Sequence, residues 1–437
     1  MSDPTPRQLK RLAELVAWAR RRSPHYRDLY RGLPDNPRLD DLPAVTKAEL
    51  VADFDRWVCD PAVTLPGVEE FAADPSRTGK PFLGRYLVCS SSGTTARPAP
   101  FLHDRQACRT YEVGTIRVDL AWLTPHLWPR MLARDGRWAV VVGAGGHYAG
   151  EAWVGYERGR GRWRRCTFRM FPLQQPADDL VATLDAFDPA VLTGYPSGVE
   201  MLAAEQDAGR LHLRLAFVEL AGESVSDVQR NRIAEAFGAP VHEAYSASEC
   251  LVIGFDCGHG WLHRASDHVI LEPVESDLSP TPPGRPSHTV LLTNLANRVQ
   301  PLIRYDLGDS LTVRSGRCLC GSLRPAFRVA GRRDDVLLLD AVTGGLRPVP
   351  PLALGAAVDQ TPGVLRSRVV QTAPDFLALQ LALSPGAPAT TWDAAAGRLR
   401  AYLDGQGLLP ITIIQDDVVP EASPSSGKYR QVVALPR

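Results

Sequence analysis

Neither sign of charge is in excess in this 437-residue chain: 49 lysines and arginines balance 49 aspartates and glutamates. No global field therefore exists to hold nucleic acid or an anionic membrane surface, and any anionic ligand must be gripped locally. An uninterrupted apolar run approaching the ~18 residues of a membrane-spanning helix is missing as well. The opening Met1-Ser-Asp-Pro-Thr-Pro6 lacks the basic start and apolar stretch of a secretory signal, so a cytoplasmic protein is expected, with neither membrane nor nucleic acid as a partner. In that compartment thiols stay reduced, and the eight cysteines do not read as a disulfide framework; metal binding or plain burial is the expectation. Internal repeats and low-complexity linkers are absent too.

What is present is ordinary globular material. Hydrophobic residues make up 44% and charged residues 22% of the chain, which excludes a disordered or fibrous protein. The length exceeds what one core usually supports, so two domains are expected, the larger one subdivided. Heavy use of alanine, arginine, proline and glycine lowers the weight of any single exposed arginine as a functional signal.

Along the chain, Gln8 to Arg22 puts Leu9, Leu12, Leu15, Val16 and Ala19 near one face of a helix, so the chain opens helically. Tyr86 to Cys89 reads as a short strand running into the polar loop Ser90-Ser-Ser-Gly-Thr-Thr-Ala96. Trp138 to Val142 and Ala190 to Thr193 read as buried strands feeding the glycine turns that begin at Gly143 and Gly194. Helical stretches near 178–187, 197–208 and 225–237 separate such strands from Ala216–Leu220 and Val241–Ala244. This alternation predicts an α/β architecture with ligands at the carboxyl ends of the strands. Short β segments follow from about 266 to 315, and a domain boundary is expected around Gly331-Arg-Arg-Asp-Asp335, with a final helix near 392–404.

The loop at 90–96 supplies hydroxyls and a backbone able to wrap a polyphosphate, but it lacks the P-loop pattern and a loop of this composition serves equally well as a connecting turn. Its weight comes from companions. Ser91-Ser-Gly-Thr-Thr-Ala-Arg-Pro98, Ala221-Gly-Glu223, Ala244-Tyr-Ser-Ala-Ser-Glu249, Arg304-Tyr-Asp-Leu-Gly-Asp309, Gly331-Arg-Arg-Asp-Asp335 and Ser425-Ser-Gly-Lys-Tyr-Arg430 occur in this order. Together they resemble the motifs of the adenylate-forming (ANL) superfamily, most of all its phenylacetate–coenzyme A ligase branch. Ala96 stands where that family usually has glycine and Arg97 where it has lysine.

The resemblance implies a large multi-subdomain N-terminal domain with mixed sheets (1–332) and a small mobile α+β C-terminal domain (333–437). It makes Ser91, Ser92, Gly93, Thr94 and Thr95 the phosphate loop, Gly222 and Glu223 the turn lining adenine, and Tyr245 the aromatic face beside it. Ser248 becomes a phosphate-side hydroxyl, Glu249 the Mg²⁺ ligand, Asp309 the ribose ligand and Arg332 a nucleotide neighbour. Asp334 is then the hinge and Lys428 the catalytic lysine, whose ammonium would screen charge between the acid and the α-phosphate. The expected cofactors are ATP and Mg²⁺, with coenzyme A as a candidate acceptor.

The same branch often carries soft ligands upstream of the hinge, where this chain has Cys257, His263, Cys318 and Cys320. Three sulfurs and one imidazole suit a closed, structural zinc site; His259 and Cys250 are competing ligands, and a metal-free cluster of reduced cysteines is the alternative. His147, Tyr148 and Tyr195 end strands where the acid should lie, and each serves equally as packed core. The expected reaction is adenylation of a small aromatic carboxylate and transfer of its acyl group to coenzyme A or another nucleophile by a monomer or homodimer. Adenylation of an oxyacid such as nitrite, amide formation, and a degenerate nucleotide-binding protein remain as alternatives.

Overall fold

The computed structural model describes residues 4–91, 99–144, 147–173, 175–332, 335–349, 351–359, 361–421 and 429–435. Its first helix, Pro6–Arg22, starts where Thr5 and Gln8 cap each other reciprocally and Pro6 takes the first turn, a position that needs no N–H. Leu12, Leu15, Val16 and Ala19 are buried as the periodicity predicts, but Leu9 is 45% exposed. Gln8 is buried in its place: its carboxamide accepts from Thr5 N at 2.9 Å and donates to Val269 O at 2.9 Å. Satisfying a strand-end carbonyl inside the core outweighs burying one more leucine.

The centre is a nine-stranded sheet. Asp309–Val313, Ala326–Arg332, Leu262–Arg264, Cys250–Asp256, Val241–Ala247, Phe217–Ala221, Val191–Gly194, Trp138–Val142 and Phe168–Pro172 lie side by side in that order. The last five are mutually parallel and the first four run antiparallel. Helices Ala177–Phe187, Pro196–Asp207 and Asp227–Phe237 connect the parallel strands and bury Leu180, Leu184, Val199, Leu202 and Ile233 against them. Residues of the parallel strands are accordingly apolar in succession, as in Val191 and Leu192 or Phe217 and Val218, because both faces are covered. A three-stranded sheet, Val269–Val274, Thr289–Asn294 and Tyr305–Asp306, shares a core with the N-terminal helices.

Residues 335–435 form a smaller α/β region with its own core around Leu337, Leu354, Leu377, Leu379 and Leu399. Four strands lie in the order Thr412–Asp416, Phe376–Leu383, Val364–Ala373, Val432–Val433, with helices Pro351–Asp359 and Thr391–Asp404 beside them. The segment after the hinge motif is a hairpin, Leu337–Asp340 paired with Leu346–Val349. Arg366 of this region donates to Ser197 O at 3.3 Å. Among the described residues no helix is long and apolar enough to cross a membrane.

One half-buried pair of carboxyls is expected to make stability depend on pH. Asp119 on helix Arg105–Trp122 and Glu219 on strand Phe217–Ala221 are electrostatic neighbours, and burial pushes both carboxyls up; Glu219 raises Asp119 further. Thr193 donates to Glu219 at 2.7 Å and itself accepts from the Trp138 indole at 2.7 Å. Carboxyls raised in the folded state stabilise it fully below the ordinary carboxylate range, and that contribution is lost as pH rises through their folded values. Glu219→Gln keeps the Thr193 bond without the charge. Its Tm is expected to exceed the parent's at pH 8 and the gap to close towards pH 4; a gap constant with pH in thermal melts would count against a protonated pair.

Candidate nucleotide and acid site

The candidate residues gather at the carboxyl ends of the parallel strands, the place where an α/β sheet offers main-chain polar groups and helix starts to a ligand. Strand Val191–Gly194 ends at a glycine by necessity: a Cβ on Gly194 would lie 2.8 Å from Val141 O and 2.9 Å from Val199 Cγ2. The chain then turns through Tyr195 into helix Pro196–Asp207. On the neighbouring strand Gly222 adopts φ 83°, which a side chain would resist, and this turn delivers Glu223 to the start of that helix. Glu223 accepts from Ser197 N at 3.0 Å and Ser197 Oγ at 3.1 Å.

One strand further, Tyr245 follows Ala244, the register partner of Ala221. Its hydroxyl donates to Asp309, its ring meets Phe327 edge-on at 5.8 Å, and burial together with the Asp309 charge pushes the phenol well up. Arg332, from the strand paired with that of Asp309, places its guanidinium 3.5 Å from the same carboxylate. Three residues singled out for ribose and adenine thus meet in space. Glu249 accepts from the Tyr305 hydroxyl at 3.1 Å. An oxygen donor at this point suits Mg²⁺, which takes one or two carboxylates plus substrate phosphates.

The phosphate loop is anchored at its base. Ser91 N donates to Ala99 O at 3.0 Å, and Ala99 N donates to Ser91 Oγ at 3.1 Å. Ser248 donates to Ser90 O at 2.9 Å, so the 244–249 turn and the loop base are one unit. Ser92, Gly93, Thr94, Thr95, Asp334 and Lys428 lie outside the described residues. Tyr429, one residue beyond Lys428, is described: its N–H donates to Glu223 and its hydroxyl to Ser367 O. Arg430 pairs with Asp335 beside the hinge motif.

Of the residues named for the acid, Tyr195 is buried, bonds the Gly143 main chain, and has its phenol pushed up by burial and by Glu223. Tyr148 begins helix Ala149–Arg158, and its phenol is raised by burial and by Glu151. Tyr195 also feels the charges of Tyr148 and Glu151, so the two phenols face one neighbourhood. His147 is turned elsewhere: fully buried at φ 53°, it packs against Phe71 at 5.7 Å with Nε2 3.2 Å from Asp74 O. Sequence reasoning missed Lys47, whose ammonium donates to Ser91 Oγ at 2.6 Å, and gave no role to Tyr305.

The ligand atoms of Cys257, His263, Cys318 and Cys320 all lie within 4.8 Å of one another. Cys257 Sγ is 3.6 Å from Cys318 Sγ, and His263 Nε2 is 3.1 Å from Cys320 Sγ. Metal–sulfur bonds of about 2.3 Å in a tetrahedron separate sulfurs by roughly 3.7 Å, so the spacing fits a zinc ion. His263 Nδ1 is 3.0 Å from Arg324 O, which assigns the ring proton to Nδ1 and leaves Nε2 to face the sulfurs. The competing Cys250 is buried and donates to Val252 O instead, and His259 is not part of the cluster.

No protein-family model and no curated protein matches the sequence. Solved structures do. 2-Hydroxyisobutyryl-CoA ligase in its postadenylation state, bound to R3-HIB-AMP, aligns with a TM-score of 0.72 at 21% identity, over 98% of this chain and 88% of that one. The fold is that of the adenylate-forming ligases. The same enzyme with 2-HIB-AMP and CoA in its thioesterification state gives 0.58 at 22% identity, over the same shares of the two chains. The anthranilate CoA ligase AuaEII with anthranoyl-AMP gives 0.51 at 17% identity, over 78% of this chain and 64% of that one.

Proposed function

We propose that this chain is an ATP-dependent, AMP-forming ligase that activates a small carboxylic acid as its acyl adenylate and passes the acyl group to the thiol of coenzyme A. The observation that carries this reading is the Tyr429 N–H bond to Glu223. It ties Tyr429, the residue that follows Lys428 in the chain, to Glu223 at the start of helix Pro196–Asp207.

Tyr245 and the 221–223 turn flank adenine, Asp309 accepts from the ribose hydroxyls, and Arg332 holds Asp309 from behind. The acid's carboxylate oxygen attacks the α-phosphorus, the bond to the β-phosphate oxygen breaks, and pyrophosphate leaves. Lys428 screens the two approaching anions, and the reaction rests on positioning and charge rather than on a protein nucleophile. Mg²⁺, held by Glu249, supplies further charge neutralisation on the phosphates when bound. In the second half-reaction a thiol loses its proton, its sulfur attacks the acyl carbon, and AMP departs, with the small region (333–437) turning about Asp334 relative to 1–332.

An aromatic acid is the favoured substrate: Tyr148 and Tyr195 border the expected pocket, and the anthranilate ligase shares the fold. Zinc at Cys257, His263, Cys318 and Cys320 is structural, because four protein ligands leave no open position for a substrate. Acid-dependent exchange of pyrophosphate into ATP across a panel of aromatic and aliphatic acids tests the reading. One or a few aromatic acids are expected to drive exchange, and coenzyme A to convert the product to a thioester. Exchange with nitrite alone would replace the carboxylate, and silence with every acid alongside tight ATP binding would mark a binding protein without turnover.

A further inference from the structure

The turn that carries Glu249 has two carbonyls with no local partner. Strands Val241–Ala247 and Cys250–Asp256 are joined by Ser248 and Glu249 alone, with Ala247 opposite Cys250. In so tight a hairpin the cross-strand bonds end at the flanking pair, so the carbonyls of the two loop residues must be satisfied from elsewhere. Two buried side chains do this. His103, the last residue of strand Pro100–His103, has Nε2 2.9 Å from Ser248 O. Asn294, the last residue of strand Thr289–Asn294, donates from Nδ2 to Glu249 O at 3.3 Å. Both are fully buried, as is Tyr111.

Tyr111 joins the two donors. It stands on helix Arg105–Trp122, and its hydroxyl accepts from Asn294 Nδ2 at 2.7 Å and lies 3.4 Å from His103 Nδ1. A carbonyl can only accept, so His103 Nε2 carries the ring proton, Nδ1 is the acceptor, and the Tyr111 hydroxyl donates to it. Asn294 Oδ1 accepts from Ala296 N at 3.1 Å, which turns the two amide hydrogens towards Tyr111 and Glu249. Burial pushes the imidazole down to about 4, so the ring is neutral at neutral pH and keeps this tautomer. The Tyr111 ring is itself wedged edge-on between His103 and His268, 5.5 Å from each. A buried polar chain with every member satisfied is rigid. What it holds rigid is the turn from which Ser248 Oγ reaches Ser90 O at 2.9 Å and the Glu249 carboxylate meets the Tyr305 hydroxyl at 3.1 Å.

We propose that His103, Tyr111 and Asn294 are positioning residues for the metal-bound nucleotide: they fix the main chain of the 248–249 turn and so aim the Glu249 carboxylate at Mg²⁺. They act through Glu249 and touch no substrate. This rests on the ligase reading for its ligand but not for its test.

His103→Leu fills the space without an N–H, His103→Gln keeps an N–H at the reach of Nε2, and Tyr111→Phe removes only the hydroxyl that sets the tautomer. Calorimetry on the full chain compares ATP binding with Mg²⁺ and with the metal chelated. His103→Leu is expected to weaken ATP binding in Mg²⁺ about 10–100-fold, the usual loss when a partner behind a metal ligand is removed. Metal-free ATP binding should stay within about twofold. Tyr111→Phe should fall between parent and His103→Leu, and His103→Gln should recover most of the affinity. If His103→Leu does not fold, Tyr111→Phe decides: a loss confined to Mg²⁺ supports the proposal, and unchanged binding in Mg²⁺ overturns it. Equal weakening with and without the metal, or a loss in His103→Gln as large as in His103→Leu, overturns it in favour of residues that only stabilise the core. Acid-driven exchange that keeps the parent's dependence on Mg²⁺ in His103→Leu sinks this proposal alone. A metal-specific loss of ATP binding in a chain that exchanges pyrophosphate with no acid sinks the ligase reading alone.

Discussion

Lys428→Ala is expected to slow adenylate formation by about 10²–10³-fold, equivalent to roughly 2.7–4 kcal/mol of transition-state stabilisation, while transfer from a supplied acyl adenylate stays near the parent rate. The asymmetry follows from charge. In the first half-reaction a carboxylate approaches a polyphosphate and the cation between them is worth most; in the second the α-phosphate is already joined to the acyl group as a mixed anhydride and the attacking group is a thiol. The neighbouring contacts do not depend on the lysine side chain: Tyr429 reaches Glu223 and Ser367, and Arg430 reaches Asp335. The contacts of Tyr429 and Arg430 should therefore survive the substitution, and pyrophosphate exchange measured beside thioester formation from synthetic adenylate separates the steps. Equal loss in both would assign Lys428 to folding or docking instead.

Removing zinc is expected to lower Tm by roughly 4 °C. Free zinc at a hundred times its Kd stabilises the folded state by about 2.7 kcal/mol, and at ~2.1 cal/mol/K of unfolding entropy per residue a domain of roughly 330 residues shifts by about 1.4 °C per kcal/mol. The loss should be local before it is global. Strand Leu262–Arg264 pairs with Ala326–Arg332, and the latter carries Arg332 beside Asp309, so depletion should speed hydrogen exchange in 257–264 and 314–332 and raise the KM for ATP. An unchanged melt after verified depletion would refute a structural ion, and Cys320→Ser, exposed and at the edge of the cluster, should behave as a partial depletion.

The elements legible in the sequence were those with a strong period or a clean boundary. Trp138–Val142, Val191–Gly194 and Phe217–Ala221 were readable as buried runs ending in glycine or polar turns, and the helices between them as 3.6-residue patterns. Cys257, His263, Cys318 and Cys320 lie close together, because strand Leu262–Arg264 pairs with both Cys250–Asp256 and Ala326–Arg332 and brings the segments around them side by side. Spacing alone does not fix the strand order, in which 309–313 and 326–332 return to extend the sheet past 262–264. Nor does it reveal Lys47: a lysine after a Thr-x-x-Glu cap reads as any helix start, and its meeting with Ser91 depends on pairing across more than two hundred and fifty residues, from Val45 to Tyr305. His147 was misleading for a related reason. Its place after a strand suggested a cleft, whereas its positive φ turns the ring back to Phe71.

The contact between the two regions at Glu223 is made by a backbone amide, so it is blind to which side chain occupies position 429; proline alone is barred. The carboxylate is the selective half of the pair, and it has two Ser197 donors besides the amide. Such a clasp is interchangeable: a tail swapped in from another chain can engage it, provided its loop presents a free N–H at the same reach, which opens this ligase fold to chimeras joined just past residue 332.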